Sequence, residues 1–271
     1  MDTQLKPAQS PPTRKADVPP SGTSSEDPAT PEEYVMGFLD HLAELRDRLI
    51  RAFLGLAVTT GLSMVFANQV LRYLTTPIGQ DDFLLQTLGP TEGVVIYFRV
   101  ALLSGAILAI PWITWQLWMF IAPGLTRSEK RYILLSLPAT TLLFLVGVLF
   151  AWFILMPAAL NFLQNFQSDV FKADWTADQY VAFVTSLLFW IGVSFEMPLV
   201  FFILSRMGLV SPRTLRQNWR LAVVGSSLAA AFITPTIDPF NMLLVMGPLL
   251  ALYVLSIILS SIAYRRSGMA D

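Results

Sequence analysis

One carboxylate, Glu196, lies inside an otherwise uncharged run from Val181 to Ser205. A carboxyl group in such surroundings could carry a proton or a cation, the chemistry of a coupled transporter or a channel. The run is long enough to cross a bilayer as a helix. Glu196 stands ten residues before Arg206, about 15 Å at the helical rise, which places it near the middle of a hydrocarbon core about 30 Å thick. A charge at that depth costs about 2.5 kcal/mol or more, so the side chain must face protein or water rather than lipid. Hydrolysis inside the membrane has less support. It needs a nucleophile with a base at that depth, yet the only histidine, His41, falls in a surface segment, no lysine falls in an apolar run, and there is no cysteine.

Two further carboxylates sit among positive charges. Glu44 lies in His41-Leu42-Ala43-Glu44-Leu45-Arg46, and Glu129 in Arg127-Ser128-Glu129-Lys130-Arg131. A carboxylate accepts two parallel hydrogen bonds from the planar fork of a guanidinium, a geometry that lysine cannot copy. The spacing leaves simpler roles open. Glu44 and Arg48 are four apart in the favourable order for a helix pair worth a few tenths of a kcal/mol, and Glu129 could be an anion at a helix start.

The elements that must position these groups are helices. Residues are 54% hydrophobic and 14% charged, against about 25% charged in soluble domains. Residues 1–33 hold seven prolines with Ser, Thr and charges and no aromatic residue, so they read as a disordered tail and tether. No apolar stretch follows the start, which argues against a cleaved signal peptide. From Tyr34 the pattern is amphipathic. Phe38, Leu42, Leu45 and Leu49 share one helical face, with Asp40, Glu44, Asp47 and Arg51 on the other, as in a helix lying on a membrane surface. Six apolar segments follow, at about 49–68, 94–120, 132–156, 180–205, 221–234 and 241–262. The fold expected is therefore all-α, a polytopic membrane protein with six transmembrane helices, an N-terminal surface helix and a short tail at 265–271.

Six spans put both termini on one side, with fifteen of the eighteen basic residues. Arg72, Arg99 and Lys172 remain for the other. Positive charge stays inside, so both termini are expected in the cytoplasm. The fifth segment is odd. Only Leu221 to Ile233 separates Arg220 from the Thr234-Pro235 turn, about 20 Å of helix and too short for a full crossing. The alternative is a helix that begins before Arg220, with its arginines reaching back to the surface.

Four stretches together resemble the TatC family, the polytopic receptor subunit of the twin-arginine protein translocase. They are His41-Leu42-Ala43-Glu44-Leu45-Arg46, Phe120-Ile121-Ala122-Pro123-Gly124-Leu125, Gly192-Val193-Ser194-Phe195-Glu196-Met197-Pro198, and Thr234-Pro235 followed by Asp238. The resemblance covers residues 34–264. It implies a cytoplasmic surface that binds signal peptides carrying two adjacent arginines, with Glu44 and Glu129 as the acceptors and Arg46 holding Glu44 or the loop in place. His41 matches a motif position, with packing or capping as its only evident role. The resemblance also marks Pro77, Phe120, Asp238 and the intramembrane Glu196 as functional positions, although Pro77 and Asp238 could equally serve their turns. It implies that TatA-like and TatB-like single-span subunits dock at the fifth and sixth spans, with Thr234 and Asn241 as candidate contacts. Met242 stands where family members carry a glutamine.

The resemblance further implies a multi-pass protein of a prokaryotic cytoplasmic membrane that self-associates. It would move folded cargo with the proton motive force, and would use no catalytic residue, cofactor, metal or nucleic acid. The rival is a proton-coupled secondary transporter built on Glu196, against which stands the lack of an obvious internal repeat.

Overall fold

The structure is a computed structural model. It describes the backbone of residues 31–78, 85–121, 127–166, 175–234 and 238–266, with side chains from residue 40 to residue 264 except at 78–84, 121–136, 167–174 and 235–237. The expected tail at 1–33 lies outside the described residues up to residue 30, and helix begins at Pro31. The chain divides into two compact units, Met1–Leu42 and Ala43–Asp271.

The described residues form α1 (Pro31–Ser63), α2 (Ala67–Thr75), α3 (Glu92–Ile121), α4 (Arg127–Phe150), α5 (Met156–Asn165), α6 (Ala177–Phe195), α7 (Met197–Arg206), α8 (Pro212–Gln217), α9 (Trp219–Ile233) and α10 (Pro239–Arg266). Four stretches are long and apolar enough to cross a membrane: Glu92–Phe120, Leu137–Asn165, Ala177–Arg206 and Pro239–Tyr264. A fifth results if α1 from Asp40 and α2 count as one bent span.

Where the helices break departs from the expected segments, each time for a local reason. The first apolar segment does not continue to residue 68. It ends at Ser63 and the chain turns by 77° into α2. In α2, Ala67 and Leu74 are buried while Asn68, Gln69 and Arg72 are exposed, a polar face that could not continue through hydrocarbon. Tyr97 Oη donates to the Met64 carbonyl at the turn, at 2.6 Å. The third segment is longer than expected. A π-helical turn at Ala151–Leu155 joins α4 to α5, just before Pro157, which has no N–H to continue an α ladder. The fourth is interrupted at Glu196, because Pro198 at the second position of α7 removes another helical donor.

The fifth segment is short, as expected. Asn218 separates α9 from α8, so the helix does not begin far upstream of Arg220. Its fifteen residues span about 22 Å.

The core centres on α6, which packs against α3, α4, α9 and α10. Val181, Val184, Leu187 and Ile191 of α6 are buried with Val100, Met156, Val245 and Leu249. Ser186 Oγ donates to the Ile233 carbonyl at 2.9 Å, satisfying one of the orphan acceptors at the end of short α9. On the far side of the core α7 lies along α10, tied by the buried pair Ser205 Oγ and Ser260 Oγ at 2.5 Å. Outward faces are apolar: Phe53, Leu54, Val58 and Leu62 on α1, and Leu221, Val224, Leu228 and Phe232 on α9, are all exposed. Apolar stripes this continuous suit lipid rather than water.

A polar clamp closes the end of the bundle where α3 and α6 begin. Glu92 accepts from the Leu88 and Gly89 amides at 2.7 and 3.2 Å and from the Asp178 amide at 2.9 Å. Arg99, two turns into α3, pairs with Asp178 at 2.5 Å. An arginine inside an apolar segment requires such a partner. Tyr180 Oη adds a bond to the Leu74 carbonyl at 2.7 Å, so the start of α6 is tied to both α2 and α3.

Candidate functional site

The opposite end of the bundle holds Glu44. Helices α1 and α3 run antiparallel there. Trp112 Nε1 donates to the Arg51 carbonyl at 2.9 Å, and a turn further along, Arg48 Nη1 reaches Gln116 Oε1 at 3.4 Å. The other terminal nitrogen of Arg48 donates to Glu44 Oε1 at 3.3 Å. The Glu44 and Arg48 side chains are 30% and 20% exposed, so the carboxylate is accessible without being fully solvated. Gln116 is 3% exposed. Two glycines let α1 and α3 come close: Gly55 of α1 packs against the Trp112 ring, and Gly105 of α3 packs directly on Thr60 of α1.

Arg46, expected to hold Glu44 or the loop, pairs with its neighbour Asp47 at 2.9 Å, and both side chains are exposed. On an α-helix, residues two apart point to different faces, whereas Arg48 lies one turn on. His41 and Phe120 both make interactions of their own, His41 exposed and Phe120 half-buried. Glu129 lies in the first turn of α4, and only residues 122–126 separate α4 from the end of α3, so its backbone belongs to the same end of the bundle as Gln116. Pro77 is exposed in a short 3₁₀ turn, Thr76–Ile78, after α2.

Glu196 occupies the break between α6 and α7, with φ −75° and ψ −20°. Its Oε1 is buried and has no hydrogen-bond partner among the described residues. A carboxyl group held so is the costly intramembrane polar group that the sequence announces.

Thr234 and Asn241 are both buried, at 4% and 1% exposure. Thr234 Oγ1 donates to the Ala230 carbonyl at 2.8 Å. Asp238 caps α10: its carboxylate accepts from the Asn241 amide at 2.7 Å and from Asn241 Nδ2 at 3.0 Å. Asn241 Oδ1 stays buried without a partner among the described residues. Asp238→Ala removes the cap and strands a buried amide group, so it should destabilise the protein by about 1–2 kcal/mol. Asp238→Ser, which keeps an acceptor, should recover much of this. Thermal unfolding in detergent reads both, and an alanine variant as stable as the parent would show that the cap contributes nothing.

Gln116, Arg99 and Asp178 escaped the sequence reading. The signal existed for the first two, since each is a polar residue inside an apolar segment, as Glu196 is. Asp178 stood out by nothing, because its partner comes from a helix far away in the chain. Among the described residues no cluster of His, Asp and Glu could hold a metal ion.

A family model described as Sec-independent protein translocase protein (TatC) matches residues 40–248. The chain is 36% identical over 253 residues to the Sec-independent protein translocase protein TatC of Deinococcus radiodurans, an alignment covering 90% of this chain and 93% of that one. It is 35% identical over 224 residues to the chloroplastic TATC of Oryza sativa subsp. japonica, covering 83% of this chain. It spans only 62% of the length of that rice relative. Among solved structures it superposes on a crystal structure of the twin arginine translocase receptor TatC with a TM-score of 0.76 and 36% identity, over 82% of this chain and 99% of that chain.

Proposed function

Because the chain belongs to the TatC family, we propose that it is the receptor subunit of a twin-arginine translocase, binding the paired arginines of a signal peptide at the Glu44 end of the bundle. The observation that carries this reading is that Glu44 already accepts a guanidinium, that of Arg48. The carboxylate keeps lone pairs on both oxygens, all of those on Oε2 and one on Oε1, so it can still accept both N–H groups of an incoming fork. Glu129, at the start of α4, supplies the second carboxylate. Two acceptors on different helices require two arginines, and the planar fork of each is what a carboxylate recognises best.

In this reading the protein has six spans, α9 being the shortened fifth, with residues 1–33 and 265–271 flanking a membrane domain at 34–264. Both termini and the Glu44 end face the cytoplasm of a prokaryote. The protein performs no catalysis. It assembles with further copies of itself and with TatA-like and TatB-like single-span subunits along α9 and α10, where Thr234 would exchange its present bond for a new one and Asn241 Oδ1 would gain a donor. Glu196, Pro77, Phe120 and Asp238 serve the transport step, which draws on the proton motive force.

The test is binding of a labelled twin-arginine peptide to the purified protein in detergent, with a twin-lysine peptide alongside. Arginine-dependent binding is expected. Equal binding of both peptides, with and without the single-span subunits, would remove the reading. Uptake of a small solute by the protein in vesicles would favour instead a transporter built on Glu196, whose Oε1 has no partner among the described residues.

A further inference from the structure

The Glu44 carboxylate is tied to more than its own helix. Arg48 uses both terminal nitrogens, Nη2 on Glu44 at 3.3 Å and Nη1 on Gln116 at 3.4 Å. Gln116 is almost fully buried in α3, so the Arg48 guanidinium is oriented by partners on two helices. Glu44 is thereby linked through Arg48 to the packed body of the protein.

We propose that Arg48, anchored on Gln116, is the residue that makes the Glu44 site prefer arginine to lysine. The inference rests on the receptor reading and adds a positioning residue to it. Two physical effects act in the same direction. The first is orientation. A carboxylate whose rotamer is restrained presents its remaining lone pairs in one direction, which suits a rigid fork of N–H donors, and the ordering entropy is spent before the ligand arrives. The second is charge. Arg48 partly neutralises Glu44, which weakens the plain Coulombic attraction that a lysine ammonium depends on. An arginine keeps its geometric advantage, because its hydrogen bonds are directional.

These effects predict opposite movements when Arg48 is removed. Arg48→Ala frees the Glu44 side chain and exposes its full charge. Twin-arginine binding should weaken and twin-lysine binding should hold or strengthen. The arginine complex must then order a free glutamate side chain that Arg48 had held, a cost the loosely held ammonium largely escapes, so the arginine-to-lysine affinity ratio should fall severalfold, toward about tenfold. Gln116→Met, which keeps the shape and removes the acceptor, should lower the ratio in the same direction with Arg48 still present. Arg48→Lys should not restore it, because one ammonium cannot reproduce the planar bridge.

The experiment measures affinity of both peptides for the full chain in detergent, in the parent and in these variants, with Glu44→Ala as reference. A reduced ratio in both Arg48→Ala and Gln116→Met supports the proposal. Parallel weakening of the two peptides would reveal a merely structural role and overturn it, as would an unchanged ratio. If Glu44→Ala abolishes binding while the ratio survives in the other variants, only the role of Arg48 falls. If the parent binds both peptides equally, the receptor reading falls and this inference with it.

Discussion

Glu44→Ala and Glu129→Ala should each weaken binding of a twin-arginine peptide by about ten- to hundredfold, while the protein still inserts into the membrane. The magnitude follows from hydrogen bonds to charged groups, worth about 1.5–3 kcal/mol each, with every 1.4 kcal/mol a factor of ten. Loss of either carboxylate leaves one arginine of the pair without its acceptor. The second arginine cannot compensate, because its own partner sits on another helix. Insertion should be unaffected, since Glu44 lies on the polar face of α1 and Glu129 in the first turn of α4, both beyond the apolar segments. Glu44→Gln separates charge from shape. It keeps one acceptor oxygen and loses the negative charge, so binding should fall nearly as far as with alanine. The measurement is peptide affinity in detergent, with export of a folded reporter in cells alongside. Normal export with both glutamates changed to alanine would sink the assignment.

Gly105→Val should have the largest effect on the fold. A Cβ at residue 105 would stand 2.5 Å from Thr60 Cα, a backbone atom that cannot swing aside. Either α1 and α3 separate or one of them bends. Overpacking of this kind costs about 1–3 kcal/mol, and contact with backbone rather than a side-chain tip places it toward the upper end. The consequence reaches the site. Gln116 on α3 and Arg48 on α1 are already at 3.4 Å, and any separation breaks that contact. The variant should therefore unfold at lower temperature and also bind the twin-arginine peptide less tightly. Gly61→Ala is the matched control, because a Cβ at residue 61 meets nothing within 4 Å, and helix propensity favours alanine by nearly 1 kcal/mol. Equal thermal midpoints for Gly105→Val and the parent would show that the helices are not in contact as the structure has them.

How much of this was legible beforehand depended on whether the cause was local. Apolar length and the charges between segments are properties of the chain itself. They yielded an all-helical protein, with the short α9 recognisable from the distance between Arg220 and Thr234. Glu196 was legible because a single carboxylate in an uncharged run is costly wherever that run lies. The four motifs sufficed to name the family. The break after Ser63 was harder to see, since Met64-Val65-Phe66 is as apolar as the helix before it and only the polar face of α2 marks the change of direction. The π turn before Pro157 was invisible for a similar reason: proline announces a missing bond but not how the backbone absorbs it.

Side-chain partners divide the same way. The Glu44 and Arg48 pair follows from helical geometry, four residues apart on one face, and could be written from the sequence. That Arg48 rather than Arg46 reaches inward, and that its second nitrogen meets Gln116, depended on how α1 and α3 lie against each other. The same holds for Arg99, whose partner Asp178 is 79 residues away, and for Asn241, whose amide folds back onto Asp238. The class of protein, the segments that can lie in lipid and the polar residues too costly to leave alone follow from the order of residues, because transfer energies and helical periodicity act over a few neighbours. Which of those polar residues meet is set by the packing of the helices. Contacts between distant helices depend on the depth and angle at which they pack, and at Gly105 that is set by the absence of a single carbon atom.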